Sequence, residues 1–275
     1  MRPLARHRGG GSLRDFTPFL WLLKLGALLN LYFFSNTLVA PASHVDPSLL
    51  VPAQILFAVS AFRCLLPNQY KHNVVFHDTP LSSIFLTRVL ATLAEVAFVY
   101  QLSRVLRLLN VERLGWVDVL SWWMVAQVVI SQLFVWGAIL TGRLALYFWE
   151  ELGWLILVAA NAIASAALYA NRDVLGSATL LLQINLVFGV VYLAWQLANL
   201  RLQIADARRA GETLQPFASV SWERVREGLR RSLHERSRKT DSDSWGGPVV
   251  LLWMIGYFAT LLPMWANQIV TVFSR

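Results

Sequence analysis

Cysteine is almost absent from this chain. Cys64 stands alone in 275 residues, so no disulfide closes within the chain and no cysteine-rich metal site can be built. Charge is scarce too, at 15% of residues against about a quarter in soluble domains. Histidine is limited to five residues, His7, His44, His72, His77 and His234, too few for the many-histidine di-iron centres of membrane desaturases. His72 and His77 lie five apart and precede Asp78. Metal binding calls for an i, i+4 pair on a helix or a third ligand at a recognisable spacing. Two loop histidines, with Asp78 assisting a helix start, are the expectation, with no metal and no cofactor.

Other signatures are missing as well. There is no GxSxG, no Walker loop and no serine with His and Asp at a familiar spacing. The last apolar run has no lysine for a retinal Schiff base. Internal repeats of the kind transporters use are absent, as is a selectivity-filter loop.

What is present is apolar. Hydrophobic residues make up 56% of the chain and the mean hydropathy is +0.51. Seven runs are long enough to span a bilayer, at 16–40, 49–66, 79–110, 116–140, 145–170, 178–200 and 248–274. The predicted fold class is all-α: a polytopic integral membrane protein with a seven-helix transmembrane bundle. Its parts are a basic tail (1–15), helices 1–6 (16–200), a basic loop with an amphipathic helix (201–247) and helix 7 (248–275). Ala40-Pro41-Ala42 has the look of a signal-peptidase site. The run before it is about twice the length of a signal peptide's apolar core and contains Lys24, so it is read as helix 1.

The net charge of +8 does not point to nucleic acid, because the basic residues flank apolar runs. Nearly all loop Lys and Arg fall in the tail, the loop 67–78, the turn at Arg143 and the segment 201–247. The alternate set of loops and the C-terminus hold only Arg113, Arg172 and Arg275. The positive-inside rule then predicts a cytoplasmic N-terminus and an external or luminal C-terminus. Within 201–247, Trp222, Val225, Leu229 and Leu233 recur at helical spacing among arginines, the pattern of a helix on an anionic membrane surface. Trp116, Trp122, Trp123, Trp149 and Trp154 fall toward span ends, as an interfacial belt does.

In lipid the informative residues are the polar ones. The stretch 79–110 reads as one long helix, with Thr79 as N-cap and Pro80 at the first position. It carries Arg88, Thr92 and Glu95 on one face, with Ser103 further along. Arg88 and Glu95 are two turns apart, about 10 Å; they need not pair directly, and can flank one polar cavity. Helix 5 aligns Glu150, Trp154, Asn161 and Ser165, with Glu151 about 100° away. Helix 6 aligns Asn185, Gly189, Tyr192, Gln196 and Asn199. Helix 7 places Trp253, Tyr257, Thr260, Met264 and Asn267 on one side. Helix 4 contributes Gln127 with Ser131. Arg63, Arg104, Arg107, Arg143 and Lys24 lie where long side chains snorkel, and are read as anchors. Amides and hydroxyls on such helices also serve as plain interhelical hydrogen-bond partners.

The converging stripes predict a polar, Trp/Tyr-lined pocket. Glu95 and Glu150 are the candidate acid–base groups with Arg88 as electrostatic partner, because burial raises a carboxyl's pKa and lets it hold a proton. Thr92, Trp154, Asn161, Asn185, Tyr192, Gln196 and Tyr257 are the candidate substrate contacts. The pair Trp149-Glu150 occurs also in integral membrane terpene cyclases, small seven-helix proteins too, but a dipeptide assigns no family. The expected function is binding or conversion of a lipid or isoprenoid-like molecule, as a lyase, isomerase or cyclase would perform it. Membrane lipids, a hydrophobic small molecule and further copies of the chain are the expected partners. A channel or transporter subunit, or a scaffold docking through 201–247, are the alternatives.

Overall fold

The computed structural model describes residues 15–39, 46–70, 73–171, 176–216 and 220–273. The basic tail before Asp15, Ala40-Pro41-Ala42, His44 and His72 lie outside them. The chain is 81% helical, and seven helices are long and apolar enough to cross a membrane. They begin with α1 (Thr17–Val39), α2 (Pro47–Leu65), α3 (Ile84–Leu109) and α4 (Gly115–Thr141). There follow α5 (Ala145–Ala170), α6 (Ser177–Arg209) and a composite last span, α8 (Gly247–Met254), a π-helical stretch (Ile255–Leu261) and α9 (Leu262–Val272). A short α7 (Trp222–His234) lies between α6 and the last span.

Local chemistry sets the helix starts. Asp46 caps α2, accepting from the Ser48 amide at 2.9 Å, with Pro47 in the first turn. The start of α3 departs from expectation. Pro80–Ser82 forms one 3-10 turn, and the cap is Ser83, whose Oγ accepts from the Leu86 amide at 3.3 Å. Thr79 caps no backbone amide, and its hydroxyl meets that of Ser82 instead. Asp78 does not assist the helix either; its carboxylate accepts from Arg236 Nε at 2.9 Å. At its far end α6 runs on to Arg209, past the expected boundary at 200, because 201–209 keeps helix-forming residues and meets no proline or glycine.

Helices α1 to α6 pack each against the next in chain order, and the last span lies against α1, α2 and α6. Pro263 and a contact with α1 explain the π-helical stretch. In that stretch each amide bonds the carbonyl five residues back, as Leu262 N–H does to Tyr257 O. The next bond in the series would join residue 263 to Phe258, but Pro263 has no amide hydrogen. The Phe258 carbonyl accepts from Asn30 Nδ2 of α1 instead, at 3.0 Å. Close approach permits it: a Cβ on Gly26 would sit 2.3 Å from the Ala259 Cβ, so only glycine fits there.

The hydrophilic segment after α6 folds back over one end of the bundle. Glu212 Oε2 accepts from the first amide of α5, that of Ala145, at 2.9 Å. Arg143 donates to the carbonyls of Gln215 and Pro216 rather than acting as a free anchor. Helix α7 then crosses the end of α4 at Gly228, where a Cβ would stand 1.9 Å from the Leu140 carbonyl oxygen. Arg224 Nε donates to the Thr141 carbonyl at 2.6 Å, satisfying a carbonyl that the helix end leaves open. The face of α7 that packs is Gly228 and Ser232; Trp222 is 77% exposed and Leu229 is exposed with it.

Three two-residue strands tie this cap to the bundle. β1 (Asn68–Gln69) pairs antiparallel with β2 (Val74–Val75), and β2 pairs parallel with β3 (Ser237–Arg238). Trp245 is fully buried, near Phe16, Leu20 and Phe76 in one apolar cluster, and its indole donates to the Lys239 carbonyl at 2.8 Å.

Candidate functional site

Arg88 sits one turn into α3 and is 2% exposed. Burying a guanidinium costs several kcal/mol unless it is paired and hydrogen-bonded, and three helices supply the partners. From α3 itself, Glu95 Oε2 accepts from Arg88 Nη2 at 3.0 Å. The two residues pair directly across two turns, because the long arginine side chain covers that distance. From α4, Gln132 Oε1 accepts from the same Nη2, and Gln132 Nε2 donates to Glu95 Oε2 at 2.7 Å. Thr92 Oγ1 donates to Gln132 Oε1 at 3.1 Å and accepts from Trp136 Nε1 at 3.0 Å. From α5, Glu150 Oε1 stands 3.8 Å from Arg88 Nη1, an ion-pair distance too long for a hydrogen bond.

The cluster opens onto a cavity of about 270 Å³. Its walls come from the last turns of α2, the early turns of α3 and α5, the later turns of α6 and the start of the last span, with Asn68–Tyr70 at the end. All of these lie toward the end of the bundle that α7 packs against. The lining is of two kinds: polar residues, Arg88, Glu95, Glu150 and Glu151, and aromatic ones, among them Tyr192, Trp253, Tyr257 and Phe258. The rings pack on one another. Trp253 stacks on Tyr257 at 5.3 Å and on Trp195 at 6.0 Å, and Tyr192 lies 5.9 Å from Trp253. The π-helical stretch carries Tyr257 and Phe258 into this aromatic lining, consistent with the frequent siting of such stretches at functional positions.

Of the ten residues singled out from the sequence, Arg88, Glu95, Glu150, Trp154, Tyr192 and Tyr257 line the cavity. Thr92 stands behind it, in the network around Gln132. Gln196 bonds Glu151 of α5, donating to its Oε2 at 2.5 Å and to its carbonyl at 2.8 Å. Asn185 donates to Ser165 Oγ at 3.2 Å, so both amides bridge α5 and α6. Asn161 is buried away from the cavity lining, and its Oδ1 accepts from nothing.

Two residues outside that set matter as much. Gln132 joins Arg88, Thr92 and Glu95, and the sequence signal for it was a buried-face amide one position beyond Ser131. Arg63, read as an anchor, lines the cavity with its guanidinium 3.9 Å over the Phe258 ring. Arg104 and Arg107 are likewise engaged at the opposite end of the bundle. Arg104 pairs with Asp46 at 2.8 Å, and Arg107 donates to Ser103 and Ser121 and covers the Trp122 ring. No cluster of three or more His, Cys, Asp or Glu arranged to hold a metal occurs among the described residues.

Comparison with protein-family models, with curated proteins and with solved structures finds no match.

Proposed function

We propose that this protein is a multi-pass integral membrane protein that takes a hydrophobic, lipid-like molecule into the cavity and converts it by proton transfer from Glu150. Membrane residence is supported by the seven apolar helices and by outward-facing residues such as Leu25, Leu28, Leu133, Val187, Val190 and Val191, all exposed. A surface this apolar is suited to lipid rather than water. The arginine-rich cap favours a cytoplasmic N-terminus by the positive-inside rule, which puts the cavity toward the cytoplasmic side.

The observation that carries the reading is the meeting of two unlike kinds of lining on one cavity. Glu95 is committed to Arg88 and Gln132, whereas Glu150 is held only at 3.8 Å and keeps its carboxyl toward the ligand space. In a low-dielectric cavity a protonated Glu150 gives its proton to an unsaturated or oxygen-bearing centre of the ligand. The aromatic wall then stabilises the resulting positive charge through ring faces, worth about 2 kcal/mol or more when water is excluded. Loss of a proton back to the Glu150 carboxylate completes an isomerisation or cyclisation with no net consumption of acid. Tyr192 and Tyr257 are the hydroxyl donors that orient the ligand, and Arg88 with Glu95 is the fixed electrostatic frame.

Native mass spectrometry of the protein extracted gently from its own membrane tests this. A monomer or dimer retaining one defined lipid-like mass is expected; because substrate and product are isomers, chromatography of the released ligand reads conversion, and Glu150→Gln is expected to release only the unconverted isomer. A larger symmetric ring with no ligand would replace the reading with a channel.

A further inference from the structure

Resting on that pocket reading, we propose that the end of the cavity formed by Arg63, Tyr70 and Arg88 is a subsite for an anionic oxyacid head group, a phosphate or its like. The ligand is then an amphiphile with its anion at this end and its hydrocarbon along the aromatic wall.

The argument starts from charge. The Arg63 and Arg88 guanidinium carbons lie 5.5 and 5.8 Å from the centre of the same ring, that of Tyr70. Two guanidinium groups on the lining of one cavity call for anions to compensate them. Glu95 answers Arg88 at 3.0 Å. No carboxylate among the described residues lies within ion-pair distance of Arg63, which is held only by the faces of Phe258 and Tyr70. One cation on the cavity wall is therefore unanswered by a direct ion pair, although Glu150 and Glu151 line the same cavity.

Hydrogen-bond bookkeeping gives an independent sign. Arg88 Nε and the Tyr70 hydroxyl are both buried with no partner, and both residues line the cavity. Buried polar atoms are rarely left unsatisfied, at about 1–3 kcal/mol each. Both are donors, and they sit with the unanswered guanidinium at one end of one cavity. An oxyanion bearing several acceptor oxygens serves all three, and arginine's planar fork suits it better than any other side chain. The apolar part of the lining, Phe98, Val158 and Phe188, suits a hydrocarbon chain.

The test uses the full-length protein in detergent and three probes: geranyl phosphate, geraniol and inorganic phosphate. Binding is followed by tryptophan fluorescence, which Trp253 and Trp154 report. Geranyl phosphate is expected to bind at least tenfold more tightly than geraniol. Arg63→Gln is expected to remove most of that difference while leaving geraniol binding unchanged. Tyr70→Phe, which deletes only the hydroxyl, is expected to weaken geranyl phosphate several-fold and serves if Arg63→Gln does not fold. Displacement of geranyl phosphate by inorganic phosphate at low concentration would assign the subsite to a free anion; failure to displace it assigns the subsite to a lipid head group. Equal binding of geranyl phosphate and geraniol by the wild type would overturn the subsite and leave the hydrophobic pocket standing. Binding of none of the three would overturn both.

Discussion

Glu95 and Glu150 flank a single guanidinium unequally, at 3.0 Å and 3.8 Å from Arg88. The difference separates a structural carboxylate from a chemical one. Glu95 shares its Oε2 between Arg88 and Gln132, so any change there exposes a buried charge to an incomplete partner set. Glu150 comes from another helix and leaves the rest of the network intact when altered.

Glu95→Ala is therefore expected to cost about 3–5 kcal/mol of stability, the usual penalty for removing one partner of a buried pair. Glu150→Gln is expected to change stability by less than about 1 kcal/mol and to abolish conversion of the bound molecule. Thermal unfolding in detergent, alongside product formation from the retained ligand, checks both. Comparable destabilisation by both variants would make Glu150 a second structural partner of Arg88.

The bond from Asn30 to the Phe258 carbonyl gives a prediction with an internal control. Asn30→Ala leaves that buried carbonyl unpartnered and is expected to cost about 1–3 kcal/mol. Pro263→Ala restores an amide in the position from which the π-helical series would reach Phe258. The double variant should then be more stable than Asn30→Ala alone. Additive losses from the two substitutions, measured by thermal unfolding, would refute this account of the π-helical stretch.

Gly228 tests the cap. A Cβ there would stand 1.9 Å from the Leu140 carbonyl oxygen, and that oxygen belongs to backbone and cannot swing aside. Gly228→Ala is expected to lift α7 from the end of α4, with a loss of about 1–3 kcal/mol, and to open the segment around Arg224 to proteases. Limited proteolysis under native conditions reads this directly. An unchanged digestion pattern would show that α7 does not depend on this approach.

The apolar runs alone were enough to locate seven helices, because a stretch that must satisfy its backbone without water leaves few options besides a helix. The polar stripes gave the azimuth of a residue but not its partner. Ser131 and Gln132 show why: they lie about 100° apart around α4, and a helix packed between two neighbours has two buried faces. Gln132 turns toward Arg88 and Glu95 on α3, so choosing the Gln127 and Ser131 face missed the cluster's third member. Arg63 was misread for a related reason, since proximity to a span end allows snorkelling outward and equally allows a turn inward onto Phe258. On α7 the apolar stripe gave no sign of the contact with α4, which two small residues, Gly228 and Ser232, make while Trp222 and Leu229 stay exposed. The π-helical stretch carries only one local mark, Pro263, and its cause lies on α1.

At the end of the bundle away from the cavity, Asp46 and Arg104 give a pH dependence with a definite sign. Burial alone would raise the Asp46 carboxyl from its ordinary 3.8, but hydrogen bonds from Arg104 and Ser48 more than reverse this and hold it at about 2. A carboxyl depressed in the folded state stabilises fully above its unfolded value, and the contribution is lost as pH falls through the folded one. The window is therefore about pH 4 to pH 2. Both side chains remain about one-third exposed, so solvent screening limits the pair to about 1 kcal/mol or less. Asp46→Asn keeps a side chain able to cap α2 and removes only the charge. It should lower the unfolding temperature by about 2–4 °C at pH 6, with the difference from wild type closing as the pH approaches 2. A difference that persists unchanged across that window would show that it does not come from the Asp46 charge.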